Sequence, residues 1–180
     1  TNDDAWGIEV WRGELTEDVV ERSLLGSDDF YAAQARLYRS HTGLYGHVLV
    51  LDLHSYNHLR DGPAGPPADP AGNPQINVGT GTLTDRDRWA PLIDRFMSDL
   101  AAFEFPGGRL DVRENVRFRG GACAAWAHRV FPEAVCVLSV EVKKFFMDEW
   151  TGVPDETLVD AVGSALQAAQ AGVVEELERM

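Results

Sequence analysis

The chain has 180 residues, 44% of them hydrophobic, and carries a formal charge of −13 at pH 7. The acidic charge argues against nucleic acid as a partner, because the phosphate backbone is itself negative. No run of eighteen apolar residues occurs, so no membrane span is expected, and no secretory signal is visible. Cys123 and Cys136 are the only cysteines, and they predict reduced thiols in a cytoplasmic protein rather than a disulfide framework.

The N-terminal quarter predicts an extended segment and two helices. Residues 1–15 favour a short strand or an extended arm. Thr16 is a good N-cap for a helix that ends at Leu25. The glycine and short polar residues at 26–28 then predict a break before a second helix, which ends near Ser40.

A short apolar run at Val48–Leu53 predicts a buried strand that turns abruptly polar. Because side chains alternate along a strand, Asp52 and His54 share a face. Ligands of open α/β sheets bind beyond the carboxyl ends of the strands, so this polar cluster is a candidate site. A carboxylate near one imidazole nitrogen fixes the tautomer and leaves the other nitrogen free for a metal. An ordinary polar loop after a strand is the alternative interpretation.

A long loop and a second strand follow. Residues 61–74 are rich in proline and glycine and form neither helix nor central strand. Residues 75–82 predict a short strand that runs into a glycine-rich turn, without the spacing of a phosphate loop. Thr84 and Asp87 have the spacing of a capping box, and the helix behind them has a strongly apolar face typical of core packing.

Residues 109–118 predict an extended segment that carries several cations. Arg113, Asn115, Arg117 and Arg119 have the same parity and are therefore expected on one face. In so acidic a chain these arginines form a local anion-binding patch, unless they pair with surface carboxylates. A Gly-Gly turn and a short helix at residues 122–131 come next.

Residues 135–144 predict a second strong strand, on which Glu141 and Lys143 share the polar face. Either this face is simply half-solvated, or Glu141 is a carboxylate held on the same rim as His54. Pro154 and Asp155 open the last helix, whose apolar stripe predicts a buried face.

Taken together, these stretches resemble the N-formylglutamate amidohydrolase family. The matching segments, in chain order, are residues 5–11, Asp52–Arg60 (DLHSYNHLR), residues 76–81, residues 112–121 (VRENVRFRGG) and residues 140–152 (VEVKKFFMDEWTG). They span nearly the whole chain in order, and this order makes the match more specific than any single segment.

The resemblance implies a fold, a metal and two site residues. The family is related to the zinc carboxypeptidases, and their shared fold is an α/β fold with a mixed, mainly parallel sheet between helices. In both groups a strand ending in His-Ser-Tyr supplies a zinc-binding histidine, which implies that role for His54, with Asp52 behind it. A later strand supplies a glutamate, which implies that Glu141 is the general base. Zn²⁺ is the implied cofactor.

Related enzymes take two more zinc ligands from a segment N-terminal to everything in this chain. We therefore expect residues 1–180 to form a single α/β domain that is the C-terminal part of a longer amidohydrolase domain, or a chain that has lost its metal. Taken alone, it is expected to hold zinc weakly and to show no useful deformylase activity.

The implied reaction is hydrolysis of N-formyl-L-glutamate, in the degradation of histidine, to formate and L-glutamate. The candidate substrate-binding residues are Arg60, Asn115, Arg117, Gly120, Gly121 and Lys143, and the expected partner is a small acidic molecule. Two alternatives stay open. One is a zinc carboxypeptidase-like peptidase or amidase for other acyl amino acids; the other is a metal-free binding module or inactive fragment. The sequence leaves the oligomeric state open.

Overall fold

The computed structural model describes residues 9–11 and 13–180. The predicted strand or arm at residues 1–15, and the matching segment at residues 5–11, therefore lie largely outside the described residues. The chain falls into two compact units, Thr1–Leu44 and Tyr45–Met180. Among the described helices, none is long and apolar enough to cross a membrane.

One long helix, α1 (Glu17–Tyr45), accounts for most of the first unit. The prediction of two helices separated at residues 26–28 is wrong, because the helix continues through Gly26. An isolated glycine inside a helix costs only about 1 kcal/mol, and no proline follows to remove a hydrogen bond. The long helical segments on both sides outweigh this local cost.

The second unit contains a mixed four-stranded sheet. Its strands are β1 (Val48–Tyr56), β2 (Ile76–Gly79), β3 (Val112–Glu114) and β4 (Val135–Lys143), in the spatial order β1-β4-β2-β3. The β1–β4 and β2–β3 pairs are parallel, whereas β2 and β4 are antiparallel. The predicted mixed, mainly parallel sheet flanked by helices is confirmed.

β4 is the longer of the two inner strands, and its burial explains its sequence. Residues Val135 to Val140 are all buried, as expected for a nearly continuous apolar run covered on both faces. The helices α2 (Ala90–Ala102) and α4 (Glu156–Leu177) pack on one face of the sheet. The core between them and the sheet includes Phe96, Ala165 and Leu138.

The helix starts only partly follow the predicted caps. Asp155 caps α4 as predicted, since its carboxylate accepts a hydrogen bond from the Leu158 amide at 3.1 Å. The Thr84 capping box is wrong: a 3₁₀ turn at Asp87–Trp89 comes first, and α2 begins only at Ala90. Proline at position 91 lacks an N–H group, so one of the amides that a cap would satisfy is absent.

A third helix, α3 (Ala122–Val130), delivers His128 into the interior beside β4. The Val137 amide lies beyond the end of β2 and donates instead to Nε2 of His128 at 2.9 Å. The imidazole proton therefore lies on Nδ1, which is 2.9 Å from Oγ1 of Thr82. Burial lowers the pKa of His128, so the fold holds this histidine neutral.

We predict that His128 makes the fold sensitive to acid. Because its pKa is lower in the folded state, its stabilising contribution is complete above the unfolded value of about 6.5 and is lost as the pH falls below it. His128→Gln should lower the free energy of unfolding by roughly 1–3 kcal/mol at neutral pH and flatten its decline with acid. Urea unfolding across this pH range measures both effects.

The matched control is His41→Gln, because His41 is an exposed histidine of α1. This variant should keep the acid dependence of the parent chain. If His128→Gln declines with acid as steeply as the parent, the buried imidazole is not the acid-sensitive group.

Candidate functional site

The register of the two parallel strands β1 and β4 places His54 directly beside Glu141, and Asp52 beside Ser139. Alternation along each strand puts these four side chains on one face of the sheet. The side chains of Leu49 and Leu51 point to the other face and pack against the core. The two strands thus bring a histidine and a carboxylate together near their carboxyl ends, on one rim as predicted.

Asp52 orients the imidazole of His54. Its Oδ1 lies 2.9 Å from Nε2 of His54, and its Oδ2 lies 3.5 Å from Oγ of Ser139. The His54 side chain is 52% exposed, whereas that of Asp52 is 24% exposed. A carboxylate bound to Nε2 leaves Nδ1 available for another group. This is the arrangement that the Asp-x-His spacing predicts, and the metal-binding role of His54 stays a prediction.

Glu141 has the electrostatic character of a proton acceptor. Burial raises the pKa of this carboxyl, the neighbouring His54 lowers it, and Asp52 raises it. A carboxylate with a raised pKa is a better general base than an ordinary exposed one. Its position next to His54 makes Glu141 a candidate catalytic carboxylate, and its role as general base stays a prediction.

Asn77 is the site residue that the sequence analysis missed. It lies opposite Glu141 in the antiparallel β2–β4 pair and is fully buried. Its Oδ1 accepts from the Arg117 amide at 2.8 Å and the Phe118 amide at 3.3 Å, and its Nδ2 donates to the Phe118 carbonyl at 2.8 Å. The signal in the sequence is a lone amide between two buried apolar residues of a short strand.

Asn115 directly follows β3, in a bend of the chain. Its φ of 55° lies in the left-handed region, which asparagine tolerates better than most residues. Its Oδ1 accepts from the Thr80 and Gly81 amides at 2.9 and 3.1 Å, and its Nδ2 donates to Oγ1 of Thr80 at 2.8 Å. The predicted single extended face over residues 109–118 is therefore wrong, since the strand stops at Glu114.

The Gly-Gly segment packs tightly against the end of β2. A Cβ on Gly79 would lie 2.7 Å from the backbone nitrogen of Gly120, which itself has a φ of 108°. Only glycine fits this close approach of two backbones. Gly121 then precedes α3 as its N-cap residue. The substrate-binding roles assigned to Gly120 and Gly121 stay predictions, with a packing role for Gly120 now evident.

Two cations lie at the Tyr56 end of the site. The Arg117 guanidinium carbon is 5.6 Å from the centroid of the Tyr56 ring and 5.5 Å from that of Phe118, within cation–π range. Within the described residues Arg117 has no ion pair, and its buried Nε lacks a hydrogen-bond partner. Nζ of Lys143 donates to the Asn73 carbonyl at 3.0 Å, and burial lowers the pKa of Lys143.

Three further arginines were candidates for the anion-binding patch or for substrate binding. Arg113 has a structural role, whereas Arg60 and Arg119 are exposed. Arg113 pairs with Asp111 at 2.9 Å and donates to the carbonyls of Pro70 and Ala71, so it anchors the long loop. For Arg113 the structure therefore favours the alternative that the sequence left open, pairing with a surface carboxylate. Arg60 and Arg119 are exposed and make no ion pair with the described part of the chain, so the role of Arg60 stays a prediction.

A buried carboxylate holds the start of the long loop. The Glu149 side chain is 1% exposed, and its Oε1 lies 2.5 Å from Nδ1 of His58 and 2.6 Å from the His58 amide. The Leu59 amide donates to its Oε2 at 3.2 Å. His58 is thus engaged with Glu149, which ties the segment after β4 to the start of the long loop.

The described side chains do not provide the three-ligand zinc site that the resemblance implies. A catalytic zinc needs three protein ligands and an open position. Within residues 9–11 and 13–180, no group of three or more histidine, cysteine, aspartate or glutamate side chains is placed to hold a metal ion. His54 and Glu141 alone do not make a complete site, and zinc binding stays a proposal.

The fold is similar to that of a known amidohydrolase. No protein-family model and no curated protein matches the chain. Among solved structures, an N-formylglutamate amidohydrolase from Ralstonia eutropha JMP134 has a TM-score of 0.64 and 17% identity, covering 96% of this chain and 58% of that chain. The gene product Atu2144 from Agrobacterium tumefaciens has a TM-score of 0.47 and 14% identity, covering 82% and 49%. The chain shares the fold of the Ralstonia enzyme and spans less than two thirds of its length.

We predict that residues 1–180, after dialysis, retain clearly less than one zinc per chain, because no two further ligands among the described residues are suitably placed beside His54. Metal analysis by mass spectrometry measures this directly, with His54→Ala as the comparison. Tight stoichiometric zinc that is lost in His54→Ala would contradict the prediction and would show that additional ligands lie within these residues.

Proposed function

We propose that the protein is a hydrolase that cleaves the amide bond of an N-acyl amino acid, with N-formyl-L-glutamate as the substrate. The observation that carries the proposal is the pairing of His54, oriented by Asp52, with Glu141 on adjacent parallel strands. The similarity of the fold to that of an N-formylglutamate amidohydrolase supports it.

Glu141 supplies the proton transfer that amide hydrolysis requires. It accepts a proton from the attacking water while the new C–O bond forms at the formyl carbon. The same proton then passes to the leaving nitrogen as the C–N bond breaks, which releases formate and L-glutamate. The raised pKa of Glu141 suits both transfers, because the carboxyl must accept a proton and then return it.

The two carboxylates of N-formyl-L-glutamate require cations. Arg117 is partly buried, has no carboxylate partner in the described structure, and lies near the end of β1 against Tyr56. Lys143 is on the same face of β4 as Glu141 and binds a carbonyl rather than a carboxylate. These two residues are the proposed partners of the substrate carboxylates, with Arg117 suited to bidentate binding.

Zinc belongs to the proposal, with His54 as one ligand. Such a metal would lower the pKa of bound water and polarise the formyl oxygen. Since the described residues fall short of three suitably placed ligands, none of the steps above depends on it. The same shortfall favours a second candidate function, a metal-free module that binds acidic N-acyl amino acids without cleaving them.

We predict that Glu141→Gln lowers kcat for release of formate from N-formyl-L-glutamate by roughly 10²–10⁴-fold, the usual contribution of a general base. The assay uses the product of the whole gene, supplied with zinc, beside residues 1–180, which alone should show little turnover. Glu133→Gln, an exposed carboxylate at the other end of β4, is the matched control and should have little effect. Turnover that survives in Glu141→Gln would remove Glu141 from the reaction.

We also predict that Arg117→Met weakens binding of N-formyl-L-glutamate by roughly ten- to a hundredfold, because a charge-assisted hydrogen bond contributes about 1.5–3 kcal/mol. Calorimetry on residues 1–180 measures this without any need for turnover. Arg129→Met, an exposed arginine at the end of α3, serves as the control.

Two outcomes of the binding experiment separate the candidate functions. Equal affinity in Arg117→Met and the parent would exclude Arg117 as the substrate's carboxylate partner. Binding by the product of the whole gene without turnover, even with zinc, would favour the binding module over the hydrolase.

A further inference from the structure

Tyr56 forms a buried wall at the carboxyl end of β1. It lies beside Lys143 in the parallel register, two residues beyond the pairing of His54 with Glu141. Side chains two residues apart point to the same face of a strand and lie roughly 7 Å apart. The ring of Tyr56 therefore faces the same side of the sheet as the candidate site, and the residue is only 5% exposed.

Two aromatic rings define where the guanidinium of Arg117 lies. Its Cζ atom is 5.6 Å from the centroid of the Tyr56 ring and 5.5 Å from that of Phe118. The two rings are 5.4 Å apart, and their planes are inclined at 64°. Each ring attracts the cation electrostatically, and contacts with two inclined rings restrict the guanidinium in more than one direction.

Hydrogen bonds account for the position of the Arg117 backbone but not for that of its side chain. Asn77 accepts from the amides of Arg117 and Phe118, which fixes the main chain. The buried Nε of Arg117 has no hydrogen-bond partner in the described structure. The contacts that orient the guanidinium there are thus the two rings.

We propose that Tyr56 is a positioning residue that, together with Phe118, holds the Arg117 guanidinium in the orientation that binds a carboxylate of the substrate. The inference rests on the proposed function, in which Arg117 is the partner of that carboxylate. Two parallel N–H donors of an arginine bind a carboxylate, which requires one orientation of the guanidinium. A side chain that is already held in place loses less conformational freedom on binding, so the complex is tighter.

The hydroxyl group of Tyr56 has a different partner from the ring. It donates a hydrogen bond to the Pro74 carbonyl at the end of the long loop, and the neighbouring Lys143 donates to the Asn73 carbonyl at 3.0 Å. The hydroxyl group thus holds the loop, whereas the ring holds Arg117. Tyr56→Phe removes the first contact and keeps the second, so the two roles can be separated by substitution.

Calorimetric titration of residues 1–180 with N-formyl-L-glutamate tests the positioning role. Tyr56→Phe should bind as tightly as the parent, although loss of the hydrogen bond to Pro74 should lower its stability in urea. Tyr56→Leu should weaken binding by roughly three- to tenfold, because the arginine must then be ordered on binding. Phe118→Leu, outside the strands, should weaken binding in the same way. Phe131→Leu, which removes a ring at the end of α3, is the matched control and should bind like the parent.

The same substitutions combined with Arg117→Met separate positioning from an independent contact with the ligand. If Tyr56 acts through Arg117, Tyr56→Leu should cause no further loss of affinity in the Arg117→Met background. An equal loss in both backgrounds would overturn the proposal, as would binding by Tyr56→Phe that is as weak as that of Tyr56→Leu. Circular dichroism establishes that each variant is folded, and Phe118→Leu takes the place of Tyr56→Leu in the cycle if the latter does not fold.

A measurement without ligand distinguishes failure of this inference from failure of the proposed function. In NMR spectra of arginine-labelled protein, the side-chain proton signals of Arg117, assigned by their loss in Arg117→Met, should be shifted upfield by the two rings. The shift should persist in Tyr56→Phe and shrink in Tyr56→Leu, while the signals of Arg129 stay in place. If the parent shows this behaviour but does not bind N-formyl-L-glutamate, the proposed substrate is wrong and Tyr56 still positions Arg117. Arg117 signals that Tyr56→Leu leaves unchanged would overturn the positioning role.

Discussion

The candidate site depends on the parallel register of β1 and β4. That register sets His54 beside Glu141, and the antiparallel pairing of β4 with β2 sets Asn77 on the other side of Glu141. Three polar side chains thus lie in a row across three adjacent strands. A shift of one residue in either pair would send the row to the opposite face, into the apolar core. The continuous burial of β4 makes such a shift costly, since its apolar residues are packed on both faces.

Two asparagine side chains fix the backbone segments next to these polar residues through hydrogen bonds. Asn77 binds the backbone of residues 117 and 118, and Asn115 binds the backbone at the end of β2. The close packing of Gly79 on Gly120 joins the same two segments. Arg117 is therefore held by its own backbone rather than by an ion pair. In a chain with a net charge of −13, Arg117 is partly buried and has no carboxylate partner among the described residues, which supports its proposed role in binding an anionic substrate.

Local patterns in the sequence predicted the strands and the polar residues at their carboxyl ends. They could not predict which strands pair, or in which register. The apolar runs before Asp52 and Glu141 located both strands, and alternation placed the polar residues on one face. The register came only from the structure, because it depends on how strands far apart in sequence pack. The left-handed conformation of Asn115 escaped prediction because it is set by hydrogen bonds to Thr80 and Gly81. The predicted helix break at residues 26–28 was wrong because a single glycine, Gly26, does not end a long helix.

The most direct test of the account is a carbon-detected NMR titration of the Glu141 carboxyl, assigned with Glu141→Gln. If Asp52, His54 and Glu141 form one coupled site, the pKa of Glu141 lies above the ordinary value of about 4.3. It should rise further in His54→Ala, which removes a favourable charge, and fall toward the ordinary value in Asp52→Ala. An ordinary pKa that neither substitution changes would contradict the shared site.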